Sequence, residues 1–317
     1  MPGLDQLWSA VDDLIARSTL DGILVHGLGP LAAGRLRRLD SQVPDALLRQ
    51  ERVAALSPAT ALPLLERVRS SCEGPLVLFK GPELARLYPA AARPFGDLDL
   101  LAPDAPAVQQ ALITAGFVVE GSEVPASHHH LQPLRWPPAQ LHVEVHSQVN
   151  WPRSLDAPSV AEILAASVPS SVGIEGIAAP SAAHHALILA VHGWQHRPLR
   201  VLRDLIDVAV AASEADPQEL DRLAATWHVE RIWRSTRDAA RALFFEGPLT
   251  PSLRTWARSL AQARERTPAE IDLEALVSSW WQMTARETLV YDARLVGRRV
   301  ARRLRRGPPE TDALSQS

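Results

Sequence analysis

Two aspartates one residue apart, Asp97 and Asp99, stand sixteen residues beyond the dipeptide Lys80-Gly81. A third acid, Glu144, lies between two histidines in Leu141-His142-Val143-Glu144-Val145-His146. On an extended strand alternate side chains share a face, so Asp97 and Asp99 point one way while Leu98 and Leu100 point to the core. Two carboxylates on one face repel each other unless a cation neutralises them. A hard divalent ion, Mg²⁺ or Mn²⁺, accepts such oxygens and keeps positions open for phosphate. Glu144 repeats the alternation, with Leu141, Val143 and Val145 on the opposite side. If its strand adjoins the first, three carboxylates can hold two ions roughly 3.5–4 Å apart, one serving an attacking oxygen and one a triphosphate. D-x-D alone is common, and its plain alternative is a turn acid followed by an edge-strand acid. The upstream Lys-Gly and the downstream glutamate favour chemistry.

The chain has 33 lysines and arginines, and Lys80 is the single lysine among them. Arginine is a planar fork, whereas lysine is a compact point charge that fits beside a triphosphate. Gly81 follows an apolar run and lets the backbone approach a ligand closely. Pro82 suits the first helical position, where free N–H groups would point at a phosphate. Arg93, four residues before Asp97, either clamps a phosphate or braces the loop. His142 and His146 read first as supports of the metal ligands or as substrate contacts, because the Asp-rich face suits Mg²⁺ or Mn²⁺ better; the alternative is a His/Glu zinc site. His192-Gly-Trp-Gln-His196 sets two histidines one helical turn apart. Gly193 stands where a zincin needs its glutamate, so helix packing or acceptor lining is expected. Arg200, Arg203, Asp204 and Asp207 repeat at helical spacing and read first as a solvated ladder of charges. The arginines of 294–306 form a basic amphipathic stretch, read as a solvated helix with RNA, acidic peptide or a membrane surface as alternatives. Trp280 and Trp281 read as packing.

These groups need elements to hold them. Residues 4–17 and 45–71 show helical spacing, with Pro44, Pro58 and Pro63 at first-turn positions. Leu76–Phe79 is a short buried strand, and Pro82–Leu87 opens a helix after Gly81. Leu98–Ala102 reads as a strand, Ala105–Ala115 as a helix closed by Gly116, and Phe117–Glu120 as a further strand. His130–Trp136 and Leu141–Val149 form a hairpin about residues 137–140. From Ser181 the pattern turns helical, over Ser181–Gly193, Leu199–Ser213, Gln218–His228, Arg231–Phe245 and Ser252–Arg266. A last long helix is expected over Ile271–Arg305. The class is α+β, a small mixed sheet between helical segments. The expected division is an N-terminal helical segment 1–72, a catalytic core 73–178, a helical domain 179–306 and a disordered tail 307–317.

At 317 residues with 46% hydrophobic content, the chain can bury a sizeable core. A net charge of −3 argues against a dedicated nucleic-acid coat. One cysteine, Cys72, excludes an internal disulfide and a cysteine-built zinc site. No leader pattern and no apolar run of membrane length are present, so a cytoplasmic protein is expected. The Ala, Arg and Pro excess points to a GC-rich bacterial coding sequence.

Leu78-Phe-Lys80-Gly81-Pro-Glu-Leu-Ala-Arg-Leu-Tyr88 and Arg93-Pro-Phe-Gly-Asp97-Leu-Asp99-Leu-Leu101 resemble the uncharacterised bacterial nucleotidyltransferase family of the polymerase-β-type superfamily. Leu112–Gly116, His142–His146 and His192–Asp207 also fit it, over roughly residues 70–210. The resemblance implies Asp97 and Asp99 as metal ligands, Glu144 completing the triad, and Gly81 lining the triphosphate pocket. It also sets the helix of Arg203 and Asp204 against the catalytic sheet, which makes those two residues alternative substrate contacts. Lys80-Gly81 stands where the superfamily usually has Gly-Ser, which removes a hydroxyl and leaves the donor open. The resulting expectation is Mg²⁺- or Mn²⁺-dependent transfer of a nucleoside monophosphate from a nucleoside triphosphate to a hydroxyl or phosphate. The acceptor is a small molecule, a peptide product, protein or RNA. The alternatives are glycosyl transfer from a nucleotide sugar at the same D-x-D, or an inactive nucleotide-binding protein.

Overall fold

The computed structural model describes residues 3–120, 129–137, 139, 141–152, 155–196, 199–250, 253–254 and 257–277, with residues 286, 288–290 and 293. Four helices come first. α1 (Leu4–Ala16) buries Leu7, Val11, Leu14 and Ile15 at the spacing of one helix face. α2 (Leu20–Val25) starts at Thr19, whose hydroxyl accepts the Gly22 N–H at 3.2 Å. α3 (Gly29–Arg38) packs on α4 (Asp45–Ser71), which is one continuous helix. Pro58 and Pro63 therefore lie inside α4 and do not open helices. Each proline lacks the N–H that would bond one turn back. In the same turns the Ser57 hydroxyl bonds the Val53 and Phe95 carbonyls, each at 2.8 Å, and the Thr60 hydroxyl bonds that of Leu56 at 3.1 Å. The helix runs on through both prolines, its buried side resting on α3 and α6.

One mixed sheet follows, in the order β3-β4-β5-β2-β1-β7-β6. Its strands are β1 (Leu76–Phe79), β2 (Asp97–Leu101), β3 (Val118–Val119), β4 (Leu134–Arg135), β5 (His142–His146), β6 (Val168–Pro169) and β7 (Ile177–Ala179). β2 is central, antiparallel to β1 and parallel to β5. β4 and β5 form the expected hairpin, pairing Leu134 with Val143. The strand expected over Phe117–Glu120 shortens to two residues, and β2 begins at Asp97 rather than Leu98. Two helices cross the same region. α5 (Pro82–Ala85) is a single turn, and α6 (Ala105–Thr114) is capped by the Asp104 carboxylate on the Ala107 N–H at 3.0 Å.

Both sheet faces are covered, and alternation assigns each residue to one of them. Leu76, Leu78, Leu98, Leu100, Val143 and Val145 pack in one core with residues of α4 and α6. Val77, Phe79 and Leu101 join the other core, with α8 (Ala182–His196) and α9 (Leu202–Ser213). Asp99 pairs with Phe79 and Glu144 across the register, so the carboxylate face is the one beneath α8 and α9. Two more helices, α10 (Pro217–Thr226) and α11 (Glu230–Phe244), pack on α8 and on each other. α7 (Val160–Ala165) precedes β6.

The helix expected over Ser252–Arg266 is not continuous. α12 (Arg258–Ala261) ends before Ala263, which sits at φ +43°, and α13 (Pro268–Val277) starts afresh at a proline. Trp280, Trp281, the arginine-rich stretch 294–306 and the tail after 307 lie outside the described residues. The architecture is α+β. No helix among the described residues is long and apolar enough to cross a membrane.

Candidate active site

The site forms where β2, β5 and the end of β1 meet the underside of α8. β2 and β5 lie side by side with Asp99 opposite Glu144, the adjacency the alternating pattern required. Ligand atoms of Asp99, Glu144 and His146 fall within 4.8 Å of one another. Asp97 is not a member of that group. Its half-buried carboxylate lines an adjoining cleft of about 280 Å³, together with Lys80, Arg93, His192, Arg203, Asp204 and Asp207.

Asp99 is 1% exposed, and its two oxygens have different lives. Oδ1 accepts from His146 Nε2 at 3.0 Å and from the Lys80 ammonium at 3.4 Å. Oδ2 is buried without a hydrogen-bond partner. A buried carboxylate oxygen left so is costly unless a cation or donor satisfies it. The two carboxylates offer hard oxygen donors that fit Mg²⁺ or Mn²⁺, with His146 beside them as a hydrogen-bond donor to Asp99. The residues present therefore fit a divalent ion.

Protonation divides the acids. Burial works to raise the Asp99 pKa, but Lys80 and His146 outweigh it and hold the group well below the usual carboxylate range. The polar contact with His146, 3.6 Å away, is the main cause that lowers Glu144. Burial, then the neighbouring Asp99 charge, push Asp97 up. His146 is opposed by burial, yet its bonds to Asp99 and Glu144 carry its pKa above the ordinary histidine value. It is wedged edge-on against Phe79 at 5.0 Å, with the rings of His129 and His130 at 5.8 and 5.4 Å. Residue 128 of that histidine run lies outside the described residues.

Lys80 owes its position to an unusual backbone. It carries φ +72°, and Gly81 follows at φ +47°, ψ −121°. A Cβ on Gly81 would meet the Asp97 carbonyl oxygen at 3.4 Å, in a conformation L-residues rarely adopt. Gly81 thus lets the β1–α5 turn lie against β2; it is not among the cleft-lining residues. The Lys80 N–H donates to His185 Nε2 at 3.3 Å, and burial pushes the His185 pKa down to about 3, which keeps that acceptor neutral. His192 Nε2 lies 3.4 Å from the ammonium. One helix, α8, therefore steadies both the backbone and the tip of this lysine.

Arg93 has its fork filled. Nε and Nη2 each donate to Asp207 at 2.8 Å, and the Tyr88 hydroxyl donates to the same carboxylate at 2.6 Å. Asp207 is buried, so the solvated ladder expected on α9 is corrected. Its acid reaches across to Arg93, not along its own helix, because α9 turns this face inward. Arg203 and Asp204 line the cleft. His142 pairs with Glu120 near the surface, both half-exposed, and does not join the carboxylate group. The side chain of His196, at the end of α8, lies outside the described residues. Sequence spacing missed the parts of His185 and Tyr88 and the true partner of Asp207, because these contacts span 105 to 119 residues.

The model of a family described as an uncharacterised nucleotidyltransferase matches residues 17–245. Among solved structures, the antibiotic-resistance factor ANT(2'')-Ia is similar, with 13% identity and a TM-score of 0.39 over 58% of this chain and 96% of that one. No curated protein sequence matches the chain.

Proposed function

The chain belongs to the uncharacterised nucleotidyltransferase family, and from that premise we propose divalent-ion-dependent transfer of a nucleoside monophosphate from a nucleoside triphosphate to a hydroxyl or phosphate oxygen of an acceptor. The observation that carries this reading is the convergence of Asp99, Glu144 and His146 within 4.8 Å, beside a half-buried lysine at the cleft wall. Asp99, Glu144 and Asp97 would hold Mg²⁺ or Mn²⁺. Bound there, the ion supplies positive charge to the phosphates and makes the acceptor oxygen more acidic.

The chain's own groups do the rest. The acceptor oxygen forms a bond to the α-phosphorus as the bond to pyrophosphate breaks. Glu144, ionised and the more open of the two acids in the group, is placed to take the acceptor's proton. His146 orients Asp99 and Glu144 from below through its two contacts. Lys80 supplies fixed charge to the triphosphate, and His192 orients that ammonium. Arg93 braces the loop that carries Asp97, because Asp207 occupies its fork. Preorganised charge and positioning supply most of the rate.

Asp97→Asn and Asp99→Asn each test the assignment. Turnover of ribonucleoside triphosphates, followed as pyrophosphate release over an acceptor panel with Mn²⁺, should fall by roughly a thousandfold or more, ~4 kcal/mol of transition-state stabilisation. Retained turnover in the double variant rejects the metal-ligand roles.

A further inference from the structure

Nucleotidyl transfer needs a second substrate, and the molecule carries a second cavity beside the reaction cleft. We propose that the groove between α2 and α4 binds the acceptor, with an apolar body on Val25 and Val53 and an anionic group, phosphate or carboxylate, on Arg203. This deepens the transfer reading and rests on it.

The groove encloses about 310 Å³, and two of its lining residues, Pro94 and Arg203, also line the reaction cleft. A molecule lying in it reaches the cleft past one proline and one guanidinium. The rim is apolar: Val25 and Val53 are 44% and 52% exposed. Covering them would remove apolar surface from water. The polar part of the wall is Gln50 and Arg203, since His26 has both ring nitrogens turned inward. Its Nδ1 accepts the Leu202 N–H at 3.3 Å, and its Nε2 lies 3.1 Å from the Arg264 carbonyl oxygen.

Arg203 is built to meet an anion. Its Nε is buried with no hydrogen-bond partner. The neighbouring Asp207 is already bound bidentately by Arg93, and no salt bridge joins Arg203 to any described residue. Asp204 and Asp207 feel its charge through space. The stem is fixed by close packing, because Gly27 sits at φ +70° and a Cβ there would meet Arg203 Cδ at 3.3 Å. The backbone is fixed too, with the Arg203 N–H donating to the His26 carbonyl at 3.3 Å. A guanidinium with no salt bridge to any described residue, held rigidly at the junction of two cavities, matches a phosphate or carboxylate by geometry and charge.

Phenyl phosphate, an apolar ring bearing an anion, is the probe. Calorimetric titration without nucleotide should show binding to the native chain, weakened by roughly tenfold or more in both Arg203→Met and Val53→Glu. Arg203→Lys keeps the charge and should recover part of it. Mn²⁺ complexes of the four unreactive α,β-methylene nucleoside triphosphates should bind Val53→Glu as they bind the native chain. Melting temperatures check that each variant is folded. The proposal is overturned if phenyl phosphate does not bind, if Arg203→Met binds it undiminished, or if inorganic phosphate binds as tightly. A comparable loss of nucleotide affinity in Val53→Glu also overturns it, by giving the groove to the donor. If no nucleotide analogue binds the native chain, the transfer reading fails and takes the acceptor assignment with it. The anion site itself still stands or falls on phenyl phosphate alone.

Discussion

Lys80→Met should make the protein a tighter binder of Mn²⁺ and a worse enzyme. The ammonium sits 3.4 Å from Asp99 Oδ1, with side-chain exposures of only 17% and 2%. The lysine therefore partly fills the role of the cation that Asp99 would hold. Coulomb's law gives a gross attraction of about 5 kcal/mol at this distance for an effective dielectric constant near 20. The net worth of a hydrogen bond to a charged group is smaller, ~1.5–3 kcal/mol. An incoming ion must overcome that net value, so its removal should tighten Mn²⁺ binding by roughly ten- to a hundredfold. Methionine is the right replacement because it keeps a Cβ at φ +72° and leaves the backbone strain as it was; glycine would relieve it. The assay is titration of the free Mn²⁺ resonance signal without nucleotide, followed by affinity for a nucleotide analogue at saturating Mn²⁺. Metal affinity should rise and nucleotide affinity fall. Equal or weaker Mn²⁺ binding in the variant would show that lysine and ion do not compete for Asp99, and the reasoning would be wrong.

Three further outcomes follow from the same contacts. Asp207→Asn leaves the buried Arg93 guanidinium uncompensated and should cost about 3–5 kcal/mol in urea unfolding; a loss under about 1 kcal/mol, the size of an exposed pair, would contradict the buried bidentate geometry. His185 takes a proton near pH 6.5 when unfolded but only near about 3 when folded, so the unfolded state gains a proton first and stability falls as pH drops through that window. His185→Gln keeps an acceptor for the Lys80 N–H and should flatten the pH slope of the urea-unfolding free energy between pH 6.5 and about 3 by about 1.4 kcal/mol per pH unit; an unchanged slope would refute the buried neutral imidazole. His146→Gln should weaken Mn²⁺ binding by roughly ten- to a hundredfold, as loss of a group that orients metal ligands does, while Phe79 and the surrounding sheet keep the fold; unchanged affinity would deny His146 that orienting part.

Much of the site was legible because strand alternation is a local rule. Asp97, Asp99, Glu144 and His146 could be put on polar faces from residue order alone, and the adjacency of their strands needed only one structural fact, the β2–β5 register. Pro58 and Pro63 misled because a proline's usual place is a helix start, whereas α4 runs through both and packs on α3 and α6, contacts that chain spacing does not show. α2, α3, α7, β6 and β7 were not marked out, being short elements whose stability comes from what they pack against. The charges on α9 looked like a surface ladder because i,i+4 spacing says which residues share a face, not which way that face points.

Residue order by itself determined the class of chemistry: a lone lysine before a glycine, paired acids on one strand face and a third on another, all set by periodicity within a few residues. Only the tertiary structure decided who holds whom. It turned Asp99 toward both Lys80 and His146, set Asp97 apart in the cleft, closed Arg93 on Asp207, and left Arg203 open between two cavities. Those pairings join residues tens to more than a hundred positions apart, where burial and the competition of charges for partners act on distances that chain spacing does not encode.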